Sequence, residues 1–285
     1  NATSAAAAQA AWMAAQIQAR YHEAWPETIR GLMIHSAEWP IAMKRQFLNA
    51  NGRGEYSKSD YGRLLRICGY GVPNLAKALA CASNSLTLIS EAEIQPYTKK
   101  EGRSDCSTKD MHLHRLPWPR EVLLERGEMP VFLRVTLSYF IEPGPGEVGW
   151  KDKYRYASFG LRFGLNSQGE TEENFIKRLN KAARDEGEGR PDTESGSERW
   201  LIGSNSRDTG SVHSDIWKGT AADIASCNLI GVYPVIGWWR ERAWLGRWDR
   251  RARYSLIVSL HTPDENIDIY TPVAVQLGIP VEVTV

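Results

Sequence analysis

Small and apolar positions dominate residues 5–21, where Trp12, Ala15 and Ala19 fall on one stripe, Met13 and Ile17 lie beside it, and charge first enters at Arg20. That spacing predicts a helix. Small side chains on almost every face predict a helix packed closely on several sides. Thr3-Ser4, directly before the alanine run, reads as the turn feeding it, with Thr3 or Ser4 near the cap. Trp25-Pro26-Glu27-Thr28 interrupts and restarts the pattern, since Pro and Glu are favoured in a first turn. Ile29, Leu32, Met33 and Ser36 or Ala37 continue this second helix, which ends before Trp39-Pro40. Gly and Asn make residues 49–60 a loop. A short helix over 61–67, a turn at Gly69-Tyr70-Gly71-Val72-Pro73 and a helix restarting at Asn74 follow.

After Ser85 the period changes from helical to alternating. Strands are predicted over 86–94, 131–141, 154–165, 229–236 and 254–261, with a charged loop over 98–110 and Gly/Pro-rich turns such as Glu142-Pro143-Gly144-Pro145-Gly146. One amphipathic helix interrupts them over 171–183, with Phe175, Ile176 and Leu179 on one face, and residues 184–199 read as a polar, Gly-rich loop. The pattern predicts an α+β chain: helices first, then mainly antiparallel β, most simply a sandwich of two sheets with one inserted helix. The character changes between residues 84 and 97, which divides the chain into 1–90 and 91–285. No internal repeat is evident.

Composition narrows the class. With 285 residues, 42% hydrophobic and 24% charged, the chain has material for a large core and neither the polarity of a disordered chain nor an apolar run long enough for a membrane span. A net charge of +1 gives no reason to expect nucleic acid or an anionic membrane as partner. Cys68, Cys81, Cys106 and Cys227 are widely spaced without a C-x-x-C pair, so free buried thiols are expected. With no basic leader before the apolar start, they favour a reducing compartment, the cytoplasm.

Several residues could carry chemistry. Ser4 places a hydroxyl at the positive end of a helix, where unpaired N–H groups favour a developing oxyanion. His22 and His35 have no acid at a relay spacing. His213-Ser214-Asp215 contains three triad residue types, but neighbours in an extended segment point to opposite faces, so the tripeptide cannot form its own relay and reads as a loop or strand end. His112-x-His114 puts two rings on one strand face, a metal-site spacing whose third ligand is not evident beyond Cys106 or Asp110, so no metal or other cofactor is expected. Gly69-Tyr70-Gly71 lacks phosphate-loop spacing. Trp238, Trp239, Trp244 and Trp248 among arginines read as core and rim; Trp239 and Trp244 exposed side by side would instead mark a binding surface.

Thr3-Ser4-Ala5-Ala6 resembles the nucleophile motif of subtilisin-like serine proteases, Gly-Thr-Ser-x-Ala, with Ala2 in place of the glycine and Ala8 in place of a proline sometimes found there. The long helix after Ser4, the helix opening at Pro26 and the Gly69-Tyr70-Gly71 turn into Asn74 follow that family's order. The resemblance implies a serine endopeptidase in which Ser4 attacks the scissile carbonyl of a protein or peptide substrate. It implies that the catalytic Asp, the His and the oxyanion Asn precede Thr3, so residues 1–90 are expected to be the C-terminal portion of the catalytic domain. Residues 91–285 are expected to be a β-sandwich accessory domain. On this reading the chain alone is inactive, its partner being the missing N-terminal part of the same protease. The alternative is a non-catalytic β-sandwich module that binds protein or carbohydrate.

Overall fold

The computed structural model describes residues 2–48, 56–79, 85–99, 101–102, 105–145, 156–187 and 197–263. Among the described residues five helices come first: α1 (Ala2–Arg20), α2 (Pro26–His35), α3 (Ile41–Phe47), α4 (Lys58–Cys68) and α5 (Leu75–Leu79). β1 (Ser85–Ile94), the hairpin β2 (Tyr97–Lys99) and β3 (Cys106–Thr108), β4 (His112–Arg115), α6 (Arg120–Glu125), β5 (Pro130–Tyr139) and β6 (Gly160–Leu165) follow. The remainder comprises α7 (Glu172–Gly187), α8 (Ser204–Arg207), β7 (Val212–Thr220), α9 (Ala221–Ile224), β8 (Leu229–Val235), α10 (Trp238–Glu241) and β9 (Ala252–His261). The expected α+β class holds, with every strand pair among the described residues antiparallel.

The strands form a four-stranded sheet in the order β1-β9-β5-β7 and a three-stranded sheet in the order β4-β8-β6. Alternation assigns the faces. Val131, Leu133, Val135 and Leu137 of β5 and Leu256, Val258 and Leu260 of β9 join Leu161 and Phe163 of β6 and Ile230 and Val232 of β8 in one buried cluster. Each such side chain contributes about 1.5–3 kcal/mol of burial. β8 is buried along its whole length because α7 covers its other face with Phe175, Leu179 and Ala183. Gly231 makes that contact possible, since a Cβ there would lie 2.1 Å from Leu179 Cδ1.

The opposite face of the four-stranded sheet receives α2 through small and polar side chains. Ile29 and Leu32 bury against Ile257, and a Cβ at Gly31 would lie 2.7 Å from Ile257 Cδ1, which sets how closely the helix approaches. Trp25 N donates to Glu91 Oε1 at 2.7 Å, Thr28 Oγ1 pairs with the same carboxylate, and His35 Nδ1 lies 2.8 Å from Thr136 Oγ1. The end of α2 and the turn after it are held by Arg134 of β5: Nη1 donates to Ala37 O at 2.7 Å, and Nη2 to Ile34 O at 3.1 Å, which also accepts from Ala37 N. Burial brings this guanidinium down to about 10.

Four expectations change. α1 is not packed on several sides: among its residues only Met13 and Ile17 are buried, against α2 and α5, and Trp12 is 58% exposed. Alanine side chains make a stable helix but offer little area to bury, and the described neighbours cover one stripe only. α4 starts earlier than the sequence suggests because Ser57 and Asp60 form a reciprocal capping box. The charged stretch after residue 97 is a hairpin rather than a plain loop. β7 is a full strand whose core face carries His213, Asp215 and Trp217 instead of aliphatic residues. Most of the loops expected over 49–60 and 184–199 lie outside the described residues.

Candidate active site

Ser4 sits in the first turn of α1, exposed to solvent. Ala5, Ala6, Ala7 and Ala8 propagate the helix from it with the best available propensity. The first amides of the helix have no intrahelical acceptor, so the Ser4 N–H lies among groups that favour negative charge. α1 is anchored at its far half, where Met13 and Ile17 pack on Ile29, Leu32 and Ala78. Beside it, Ala14, Ala15, Gln18, Pro26, Ile29, Arg30 and Met33 line an open groove of about 390 Å³ between α1 and α2.

All six histidines are described, and none is hydrogen-bonded to Ser4. His22 lies beyond Arg20, the end of α1, itself roughly 24 Å along the helix from Ser4 at about 1.5 Å per residue, and faces Glu23 at 3.8 Å. His35 is buried beneath α2 between Thr136 and Ser259, and burial holds it neutral, well below its ordinary range. His261 is partly buried near Lys77 and Glu38.

His213-Ser214-Asp215 lies along β7, and its three side chains go to different partners. His213 Nε2 is 3.0 Å from Tyr139 Oη, and Nδ1 is 2.9 Å from Arg207 O. Ser214 Oγ is 2.7 Å from Thr136 Oγ1, on the opposite face. Asp215 accepts from the N–H groups of Ile202, Gly203 and Ile216 at 2.8–2.9 Å. No relay forms. Around His213 lies a buried ionic cluster that the sequence did not reveal: Arg207 stacks 4.2 Å over Phe163 and donates to Asp208 at 2.7 Å, and Arg162 lies 3.6 Å from Asp208. Burial brings His213 down to about 4 and raises Asp215, whereas Arg207 and its neighbours hold the buried Asp208 below the usual carboxylate range. Each charge here is met by an opposite charge or a hydrogen bond, the requirement for burying it.

His112 and His114 share one face of β4, as the spacing requires, and both rings reach Tyr254 Oη of β9, at 2.7 and 2.8 Å. Among the described residues no group of three or more His, Cys, Asp or Glu side chains is placed to hold a metal ion. Cys68, Cys106 and Cys227 are free thiols, the last pushed up to about 11 by burial; Cys81 lies outside the described residues. Trp238 and Trp239 are buried, with both indoles on Glu142, while Trp244 is 71% exposed, so Trp239 and Trp244 do not make a joint exposed platform. No helix among the described residues is long and apolar enough to cross a membrane.

Residues 1–71, from the start of α1 to the Gly71 turn, match the family model Peptidase_S8, the subtilase family, a family of serine-type hydrolases. No curated protein matches the chain. The matched span, about a quarter of the chain, is similar to that family and holds Ser4 and the helices α1, α2, α3 and α4.

Proposed function

We propose that this chain carries the C-terminal part of the catalytic domain of a subtilisin-like serine endopeptidase, with Ser4 as the acyl-forming nucleophile, followed by a β-sandwich accessory domain. The observation that carries the reading is the subtilase match over residues 1–71, with a Thr-Ser-Ala motif at the first turn of its first helix. The open face of α1 supports it: Trp12 and the alanines around it present surface that the described residues leave uncovered, as expected of a helix that a further part of the catalytic domain encloses. The two sheets that share one core support the sandwich reading of the second part.

In the completed enzyme, Ser4 Oγ attacks the scissile carbonyl carbon and its proton passes to a histidine of the missing part, which an aspartate orients. The carbonyl π electrons move onto oxygen, and the Ser4 N–H at the helix start donates to that oxyanion. Collapse expels the amine, which takes the proton from the histidine, and water then hydrolyses the acyl-Ser4 ester. The reading makes the isolated chain inactive, because a serine without a base is a poor nucleophile at neutral pH. A fluorophosphonate probe therefore leaves Ser4 of the isolated chain unmodified. Stoichiometric labelling of Ser4 in the isolated chain would overturn the inactivity.

A further inference from the structure

Two imidazoles and a phenol converge behind the edge of the three-stranded sheet. His112 Nδ1 and His114 Nε2 lie 2.7 and 2.8 Å from Tyr254 Oη, the two imidazoles inclined at 66° to each other. We propose that His112, His114 and Tyr254 form a binding site for a divalent transition-metal ion of the zinc and copper class. Imidazole and anionic oxygen suit such ions, and neither the subtilase match nor the serine chemistry uses these residues.

The geometry is close to that of a loaded site. Donor atoms about 2.0 Å from a shared tetrahedral ion lie roughly 3.3 Å apart, within about half an ångström of the two nitrogen–oxygen separations. The ring centroids of His112 and His114 are 6.4 Å apart, whereas two imidazoles on one tetrahedral ion lie roughly 5 Å apart. The rings must swing inward by about an ångström in total, a side-chain adjustment for partly exposed residues on an edge strand. Tyr254 stays fixed, fully buried on β9 between β1 and β5. A cleft of about 370 Å³, lined by His114 with Leu88, Leu113, Leu116 and Leu256, reaches the site from the His114 side.

Two of the three donors are ready as they stand, whereas burial raises Tyr254 and makes its proton the one the ion must displace. Burial lowers His112 and brings His114 down to about 4, so both rings are neutral ligands near pH 7. Asp110, on the approach to β4, adds negative charge near His112. Tyr254 is protonated at that pH, so coordination must release its proton: Tyr254–OH plus the ion gives the phenolate complex and one H⁺ to solvent.

Titration calorimetry with Zn²⁺, run in buffers of different ionisation enthalpy after alkylation of accessible thiols, tests this. The expected result is one ion per chain with release of about one proton, and for Cu²⁺ a visible phenolate-to-copper charge-transfer band. Tyr254→Phe keeps the ring packing and is expected to abolish both the proton and the band; His114→Gln is expected to weaken Zn²⁺ binding at least tenfold. Absence of binding to the unmodified triad, Zn²⁺ binding without proton release, or undiminished binding by His114→Gln would each overturn the proposal and leave the triad a hydrogen-bonded tie between the sheets.

Discussion

Buried histidines make acid the condition under which this fold should fail first. His213 is fully buried, between Tyr139 Oη and Arg207 O, with Asp208 as the acid facing it and Arg162 and Arg207 as the opposing cations. Its folded-state pKa is about 4, and His114 is also at about 4, against an ordinary 6.5. Between those two values the unfolded chain binds more protons than the folded one. Stability is therefore full above the ordinary value and falls as the pH drops through the window towards the folded value. For a single histidine with these constants the loss between about pH 7.5 and about pH 5 is about 2 kcal/mol, so the pair loses about 4 kcal/mol. His35, shifted in the same direction, adds to the loss. Asp215, whose pKa is raised, works against it, because its burial penalty is relieved as it takes up a proton. Asp208, held low, adds a further loss only below the ordinary carboxylate range.

The informative variant is His213→Gln, which cannot titrate but keeps an amide able to meet Tyr139 and Arg207. Urea unfolding at about pH 7.5 and about pH 5, for the parent and the variant, reads the difference. The variant is expected to lose about 2 kcal/mol less than the parent across that interval, whatever its stability at the higher pH. Parallel losses in the two proteins would refute the assignment of His213 as a buried neutral group.

Arg134→Met keeps the length of the stem but leaves the Ala37 carbonyl without its donor and removes one of the donors to Ile34 O, and is expected to destabilise by about 1–3 kcal/mol in urea unfolding. Trp239→Ala empties a buried site where the indole packs 5.1 Å from Phe159 and donates to Glu142, with an expected loss of about 3–5 kcal/mol and a lower melting temperature. Trp12→Gln, at an exposed position of α1, is expected to change the stability of the isolated chain by less than about 0.5 kcal/mol, yet to weaken association with the rest of the catalytic domain in a pull-down assay.

Local signals carried the parts of the fold that local physics decides. Pro26 and Glu27 announce α2 because first-turn preferences are properties of a few neighbouring residues. The alternating runs of β5, β8 and β9 are legible because one or both faces are apolar. β7 escaped because its core face is built from His213, Asp215 and Trp217, whose burial depends on Arg207, Asp208 and Tyr139 elsewhere in the chain. The same holds at β4: His112-x-His114 is visible as a pair, but the third heteroatom, Tyr254, comes from another sheet. The exposure of α1 was also hidden, since an alanine-rich pattern fits a helix enclosed on all sides and one held by Met13 and Ile17 alone. Ser4 was legible as a motif, and the structure places it exposed in the first turn of a long helix.

The central proposal, that Ser4 is the nucleophile of a subtilisin-like protease whose His and Asp belong to the N-terminal part of the same catalytic domain, is tested most directly by fluorophosphonate labelling mapped by peptide mass spectrometry. The chain is labelled alone and after mixing with the part of the catalytic domain that bears the His and Asp. The account predicts no label on the chain alone, label on Ser4 in the mixture together with peptide hydrolysis, and loss of both in Ser4→Ala. Peptide hydrolysis that survives Ser4→Ala, or a label on a residue other than Ser4, would contradict it.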